Sequence, residues 1–98
     1  MKITNKILLE RFTLKHTETI TAVNKWVEIM EDNDFSGHHE LKAMFPTVDY
    51  VGNLRYVFNI RGNRYRFVVV VVFAQGKTQI RFCGTHAEYD KIKDIKNI

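Results

Sequence analysis

One histidine and several arginines in the second half of the chain have the types and spacing for phosphate chemistry. His86 stands in GTHAEYD, Arg61, Arg64 and Arg66 in RGNRYR, and Arg81 in QIRFC. An imidazole can take or give a proton near neutrality. A guanidinium offers a planar fork of donors that matches phosphate oxygens. Together they meet the minimum for cutting RNA without a metal. Something must take the 2′-OH proton, cations must steady the charged phosphorane, and the leaving 5′-oxygen needs a proton. Only RNA carries that internal nucleophile. His86 can act as the acid or the base, and Arg66 as the charge stabiliser. Tyr89, three residues after His86, shares its helix face and can stack on a base, donate to phosphate, or simply pack.

These groups need elements that hold them together. From Arg55 onward the apolar pattern has a period of two, which predicts strands over Arg55–Ile60, Arg64–Ala74 and Lys77–Cys83. Gly62-Asn63 and Gln75-Gly76 are the turn signals between them. With two-residue turns, Asn59 opposes Arg66 and Val57 opposes Val68. In the next pair, Gln79 opposes Val72, Arg81 opposes Val70 and Cys83 opposes Val68. Opposed residues share a face. One face then carries Arg55, Asn59, Arg61, Arg64, Arg66, Arg81 and Cys83 around a valine floor. The other carries Tyr56, Phe58, Ile60, Tyr65, Phe67, Val69, Val71, Phe73, Thr78, Ile80 and Phe82, which is a core. Clustered like charges oppose folding, so an anion lying across the first face explains them better than stability does. A solvated sheet face dressed with arginine is the plainer alternative. A three-residue turn with a bulge would break this register.

The first half reads as helices that cover the core face. Residues 5–15 place Ile7, Leu8, Phe12 and Leu14 on one side. Thr17 or Thr19 caps a second helix whose stripe is Ile20, Val23, Val27 and Met30, with Trp26 beside it. A short helix over His38–Met44 ends before Pro46, the only proline. Residues 1–3 suit an edge strand. Thr85-His-Ala-Glu88 matches a capping box, so a last helix starts there, and the box alone could account for that stretch. The layout is α+β: N-terminal helices on one face of a small antiparallel sheet, then a short C-terminal helix, all in one domain over residues 1–98.

Composition narrows the class. A chain of 98 residues with 45% hydrophobic and 27% charged residues suits one soluble globule. Fifteen basic against eleven acidic residues give a net charge of +4, which favours a polyanion or an acidic protein as partner. A single cysteine, Cys83, excludes an internal disulfide and suits a reducing cytoplasm. The N-terminus lacks a signal-peptide pattern, and no stretch is long enough to span a bilayer. His38-His39 is expected to be exposed, since adjacent residues point apart and no cysteine cluster or HxxxH pattern accompanies them. No metal site and no cofactor are expected.

Three stretches in order, LKAMFPTVDYVG, VFNIRGNRYRFVVVV and IRFCGTHAEYDKI, resemble the HigB group of the RelE/ParE-like bacterial toxins, from about Leu41 to Ile92. The resemblance implies a small sheet with helices on one side and the toxin of a type II toxin–antitoxin pair. Such toxins are mRNA interferases that cut messages on the translating ribosome. A HigA-like antitoxin with a helix-turn-helix domain holds them inactive, and operator DNA is bound only through that complex. Carried over by position, Arg66 matches the arginine used on the scissile phosphate, His86 the catalytic residue of the last strand, and Tyr89 the C-terminal tyrosine. Asn59, Asn63 and Arg81 match motif positions with supporting or RNA-binding roles, and Lys42 in LKAMFP matches a basic position that could touch RNA; Arg64 and Arg61 are expected as RNA contacts from their charge and place on the face. Arg61 departs from the glycine expected in VFNIGGN and adds charge at the turn. Two rivals stand beside this reading. One is a non-catalytic, ParE-like toxin acting on a protein such as gyrase. The other is a basic RNA- or ribosome-binding module whose arginines only dock.

Overall fold

The computed structural model describes residues 1–98. The chain runs β1 (Lys2–Thr4), α1 (Ile7–Lys15), α2 (Ile20–Asp32), α3 (His38–Met44), β2 (Asp49–Gly52), β3 (Arg55–Ile60), β4 (Tyr65–Val72), β5 (Lys77–Thr85) and α4 (His86–Asp90). The five strands form one sheet in the order β1-β5-β4-β3-β2. The meander is antiparallel, as the period-two pattern requires, and β1 joins its edge in parallel beside β5.

The helices cover the face that the alternation marks as core. Phe67 is fully buried and meets Phe12 and Trp26 edge-on, with centroids 5.3 and 5.5 Å apart. Edge-to-face pairs of this kind add to the burial energy of each ring. Trp26, only 3% exposed, belongs to the centre of the core and not its rim. Two helical stripes rotate from their expected positions. On α1 it is Leu9 with Phe12 that is buried, while Ile7 and Leu14 are exposed; on α2, Val23, Trp26 and Met30 are buried and Ile20 is exposed. A short 3₁₀ turn over Thr17–Thr19 separates the two helices. His38 and His39 are exposed, as expected, and His38 Nδ1 also lies 2.9 Å from the hydroxyl of Tyr56.

The β3–β4 register is the expected one, with Asn59 opposite Arg66 and Val57 opposite Val68. The turn is longer than two residues. Ile60 and Tyr65 are the last pair, and the positive φ angles fall at Arg61 (53°) and Gly62 (68°) instead of Gly62 and Asn63. Arg61 leaves the expected face. Its Nη1 donates to the Glu18 carbonyl at 3.0 Å and ties the hairpin to the turn between α1 and α2.

The β4–β5 register is overturned. Val72 pairs with Lys77 and Val70 with Gln79, because a 3₁₀ turn over Phe73–Gln75 and a left-handed Gly76 lengthen the connection. Val69 then pairs with Ile80, but Val68 pairs with Phe82, so Arg81 is an extra residue and β5 bulges there. An extra residue reverses the alternation beyond it. Cys83 therefore packs against the core, opposite Phe67, and Phe82 turns to the arginine face, opposite Val68. Burial pushes the Cys83 thiol up to about 12, which leaves it a packing group and not a nucleophile. No helix is long and apolar enough to cross a membrane.

Candidate active site

β4 begins and β5 ends side by side, at the pair Tyr65 and Thr85, and α4 starts at the next residue. Its start is fixed twice. Thr85 Oγ1 accepts the Glu88 N–H at 3.1 Å, and Glu88 Oε1 accepts the Thr85 N–H at 2.8 Å, which is the expected capping box. The Thr85 N–H holds the Glu88 carboxyl below its ordinary value. The His86 N–H donates to the Arg64 carbonyl at 3.0 Å. The short helix is thus fastened to the hairpin that carries Arg66.

On this base His86 meets a residue the sequence reading passed over. Its Nδ1 lies 2.8 Å from Asp90 Oδ2. A carboxylate only accepts, so Nδ1 carries a proton, and in the neutral imidazole Nε2 then presents its lone pair. The imidazole is 37% exposed, which leaves Nε2 open to a substrate. The signal for Asp90 was present in the sequence, since residues four apart on a helix are neighbours.

Arg66 is held as a plane. Its Nη2 donates to Asn63 Oδ1 at 2.8 Å, and its Cζ sits 4.9 Å from the centre of the Tyr89 ring. Tyr89 stacks beneath the guanidinium and does not enter the core. Nε is buried without a protein acceptor, a cost of about 1–3 kcal/mol by itself. The residue is half-buried, and Arg55 Nε and Trp26 Nε1 are likewise buried without an acceptor. A guanidinium pinned on two sides presents its remaining donors in a fixed plane, the form that suits a phosphate.

The remaining predicted residues divide. Asn63 belongs to the site through Arg66. Arg64 is exposed beside it and supports α4 through its carbonyl. Arg81 is exposed at the bulge, where its Nη1 donates to Gln79 Oε1 at 2.9 Å. Asn59 lies across the ladder from Arg66, but it also borders a cavity at the free edge of β3 with Trp26 and Phe45. Arg61 is engaged with Glu18, as above. Lys42 donates to the Val48 carbonyl at 2.7 Å, and no contact joins it to His86 or Arg66. The side-chain contacts therefore form two groups at the strand–helix junction, His86 with Asp90 and Arg66 with Asn63 and Tyr89.

A family model described as HigB toxin, RelE-like toxic component of a toxin–antitoxin system, matches residues 19–92. The chain is 37% identical over 93 residues to the mRNA interferase toxin HigB of Escherichia coli K12, covering 90% of this chain and 86% of that one. The mRNA interferase HigB of Shigella flexneri matches to the same extent. The mRNA interferase HigB of Escherichia coli O6:H1 is 28% identical over 94 residues, covering 94% of this chain and 91% of its own. The matched residues span Arg66, His86 and Tyr89. The chain belongs to the HigB family, the RelE-like toxic components of toxin–antitoxin systems.

Proposed function

We propose that the protein is an endoribonuclease that cuts mRNA and so stops translation. The observation that carries this reading is the pairing of a tautomer-fixed, accessible imidazole with a clamped guanidinium on one strand-helix junction. The names of the relatives, mRNA interferases, support it.

In this reading His86 Nε2 takes the 2′-OH proton, and the freed 2′-oxygen attacks the adjacent phosphorus. Asp90 steadies the imidazolium that forms. Arg66 neutralises the charge that builds on the phosphorane oxygens. The bond to the 5′-oxygen breaks, and that oxygen leaves with a proton from the imidazolium, from the Tyr89 hydroxyl or from water. The products are a 2′,3′-cyclic phosphate and a 5′-hydroxyl end, and the chemistry requires no metal. Arg64 and Arg81 flank the site as backbone contacts for the strand. Asn59, Arg61 and Lys42 are at most secondary contacts, since two of the three are already engaged with carbonyls. The reading places the target on the translating ribosome in the cytoplasm and gives the toxin a HigA-like, helix-turn-helix antitoxin as its partner.

The test is to induce the chain and its His86→Ala variant in bacteria and map new mRNA 5′ ends. The expected result is growth arrest with new 5′-hydroxyl ends in translated messages. The variant should cut roughly 10²- to 10⁴-fold less, the usual contribution of a general acid–base group. Arrest without cuts overturns the nuclease reading in favour of a protein target. Cuts that persist in the variant return His86 to its place in the helix and leave the arginines to carry the chemistry.

A further inference from the structure

The bulge in β5 re-aims one aromatic ring. Along an unbroken strand Phe82 would follow Thr78 and Ile80, both buried, into the core. Because Arg81 is an extra residue, Phe82 comes to lie opposite Val68 on the arginine face. It is half-buried and stands outside the main apolar cluster, whereas its neighbour Cys83 packs against that cluster. The next residue to face the same way is Gly84, which lies opposite Arg66. A Cβ placed on Gly84 would meet the Phe82 ring at 2.6 Å. The ring therefore lies back along the strand, in the space a side chain at Gly84 would fill, toward Arg66.

Stability does not select this arrangement. A phenylalanine contributes most when fully buried in the core, and this one is left partly in water on the arginine face. A bulge also interrupts the ladder of hydrogen bonds. Bulges recur beside active sites because they redirect a side chain. The redirected group here is a flat, uncharged ring next to the cation assigned to the scissile phosphate. Unpaired RNA bases next to a bound phosphate are free to stack on such rings, and stacking is the common way in which single strands are held. Phe82 also covers Val68, which is fully buried, so one side of the ring has a packing partner and the other does not need one.

We propose that Phe82 is a nucleobase-stacking platform, placed by the Arg81 bulge and admitted by Gly84, that holds the base flanking the phosphate gripped by Arg66. The ligand is single-stranded RNA. This inference rests on the nuclease reading and adds to it the group that positions the substrate and biases which base is cut beside.

The test compares the parent with Phe82→Leu and Phe82→Trp by mapping 5′ ends after induction, with melting temperatures of the purified proteins as the control for folding. Leucine still covers Val68 but has no π face, while tryptophan has a larger one. The expected result is that Phe82→Leu lowers cutting by roughly 5- to 150-fold, the loss of one stacked base, and flattens the base preference beside the cut. Phe82→Trp should keep the activity and shift the preference toward purines, which offer more surface to stack. If Phe82→Leu folds and cuts at the same sites with the same base distribution and rate, the proposal is overturned and the ring only covers Val68. If Phe82→Leu does not fold, Phe82→Trp decides: an unchanged base distribution overturns the proposal and a shifted one sustains it. A parent that makes no cuts overturns the nuclease reading itself, an outcome distinct from a parent that cuts and variants that do not differ from it.

Discussion

The two faces of the sheet are made by the same strands under opposite rules. On the helix-covered face, Phe58, Phe67, Val69, Val71 and Ile80 alternate without interruption and are at most 1% exposed. On the other, only Val57 and Val68 are comparably buried, and the alternation is broken at Arg81. The first face repeats one rule, so each residue predicts the next. The second is defined by exceptions: a bulge, a glycine that yields its space, and an arginine with an unused buried donor. Exceptions of this kind weaken a fold locally and are retained where a ligand needs them.

The largest expected effect tests the first half of that contrast. Phe67→Ala removes a fully buried ring that meets two other rings edge-on. It should destabilise the protein by about 3–5 kcal/mol, a large part of what a small domain has. Arg66→Ala, one residue earlier but on the other face, should cost little stability or even raise it, because it also removes the idle Nε donor. Urea denaturation of the two variants measures the difference. Equal losses would mean that the site face is as structural as the core, and the contrast would fail.

That contrast also separates what could be read from the sequence. The core face was legible almost residue by residue, because a period of two leaves only one apolar set. The capping box at Thr85 was legible for a similar reason, since its two side chains stand at a fixed spacing. Gly62 located the first hairpin although the turn itself begins at Arg61, because lengthening the loop from two residues to four about the same centre leaves Asn59 opposite Arg66. The bulge was not legible. Nothing in QIRFCG marks Arg81 as an extra residue, for it is neither glycine nor proline, and so Phe82 and Cys83 were assigned to each other's faces. β2 was missed because it is four residues long and bounded by Gly52, Asn53 and Leu54, all with positive φ. At the site, His86, Arg66 and Tyr89 were found by type, but their clamp was not. Asp90 was visible at helical spacing, whereas the stack of Arg66 on Tyr89 depends on how the five-residue α4 lies against β4, which no local pattern encodes.

A middle-sized effect sharpens the second half. Asp90→Asn keeps the shape of the residue that orients His86 but replaces a pure acceptor with an amide that can also donate. The pair is exposed and contributes only about 0.2–1 kcal/mol to stability, so its loss falls mainly on how His86 is held. The variant should therefore cut roughly 10- to 100-fold less while melting within a degree or two of the parent. A loss of activity that comes with a matching loss of stability would make Asp90 a brace for α4 and not a positioning group for His86.

The smallest effect lies where the two faces meet. Tyr65 belongs to the core, yet its hydroxyl emerges at the end of β4 and donates to the Glu18 carboxylate. That bond, followed by the Glu18 backbone N–H and helped by the charges of His16 and Arg61, holds the Glu18 carboxyl below its ordinary value of 4.5. A carboxyl whose value is lowered on folding stabilises the protein above its unfolded value, and that contribution is lost as the pH falls through the lowered one. Tyr65→Phe removes the hydroxyl and leaves the ring against Phe12 and His16. At pH 7 the variant should melt slightly below the parent, and the gap should hold until the pH drops below 4.5 and then close, because protonated Glu18 no longer distinguishes the two proteins. Melting curves from pH 7 to 3 follow it. A gap that persists unchanged in acid would assign the hydroxyl's contribution to packing, and the link between the core and the charged end of the sheet would then be apolar. A closing gap would show that this end is held by a charge-assisted bond, with Arg61 drawn to the same Glu18 residue and away from the site. The proton state of Glu18 would then tune how firmly the hairpin beneath Arg66 is held, and acid should loosen the site before it loosens the core.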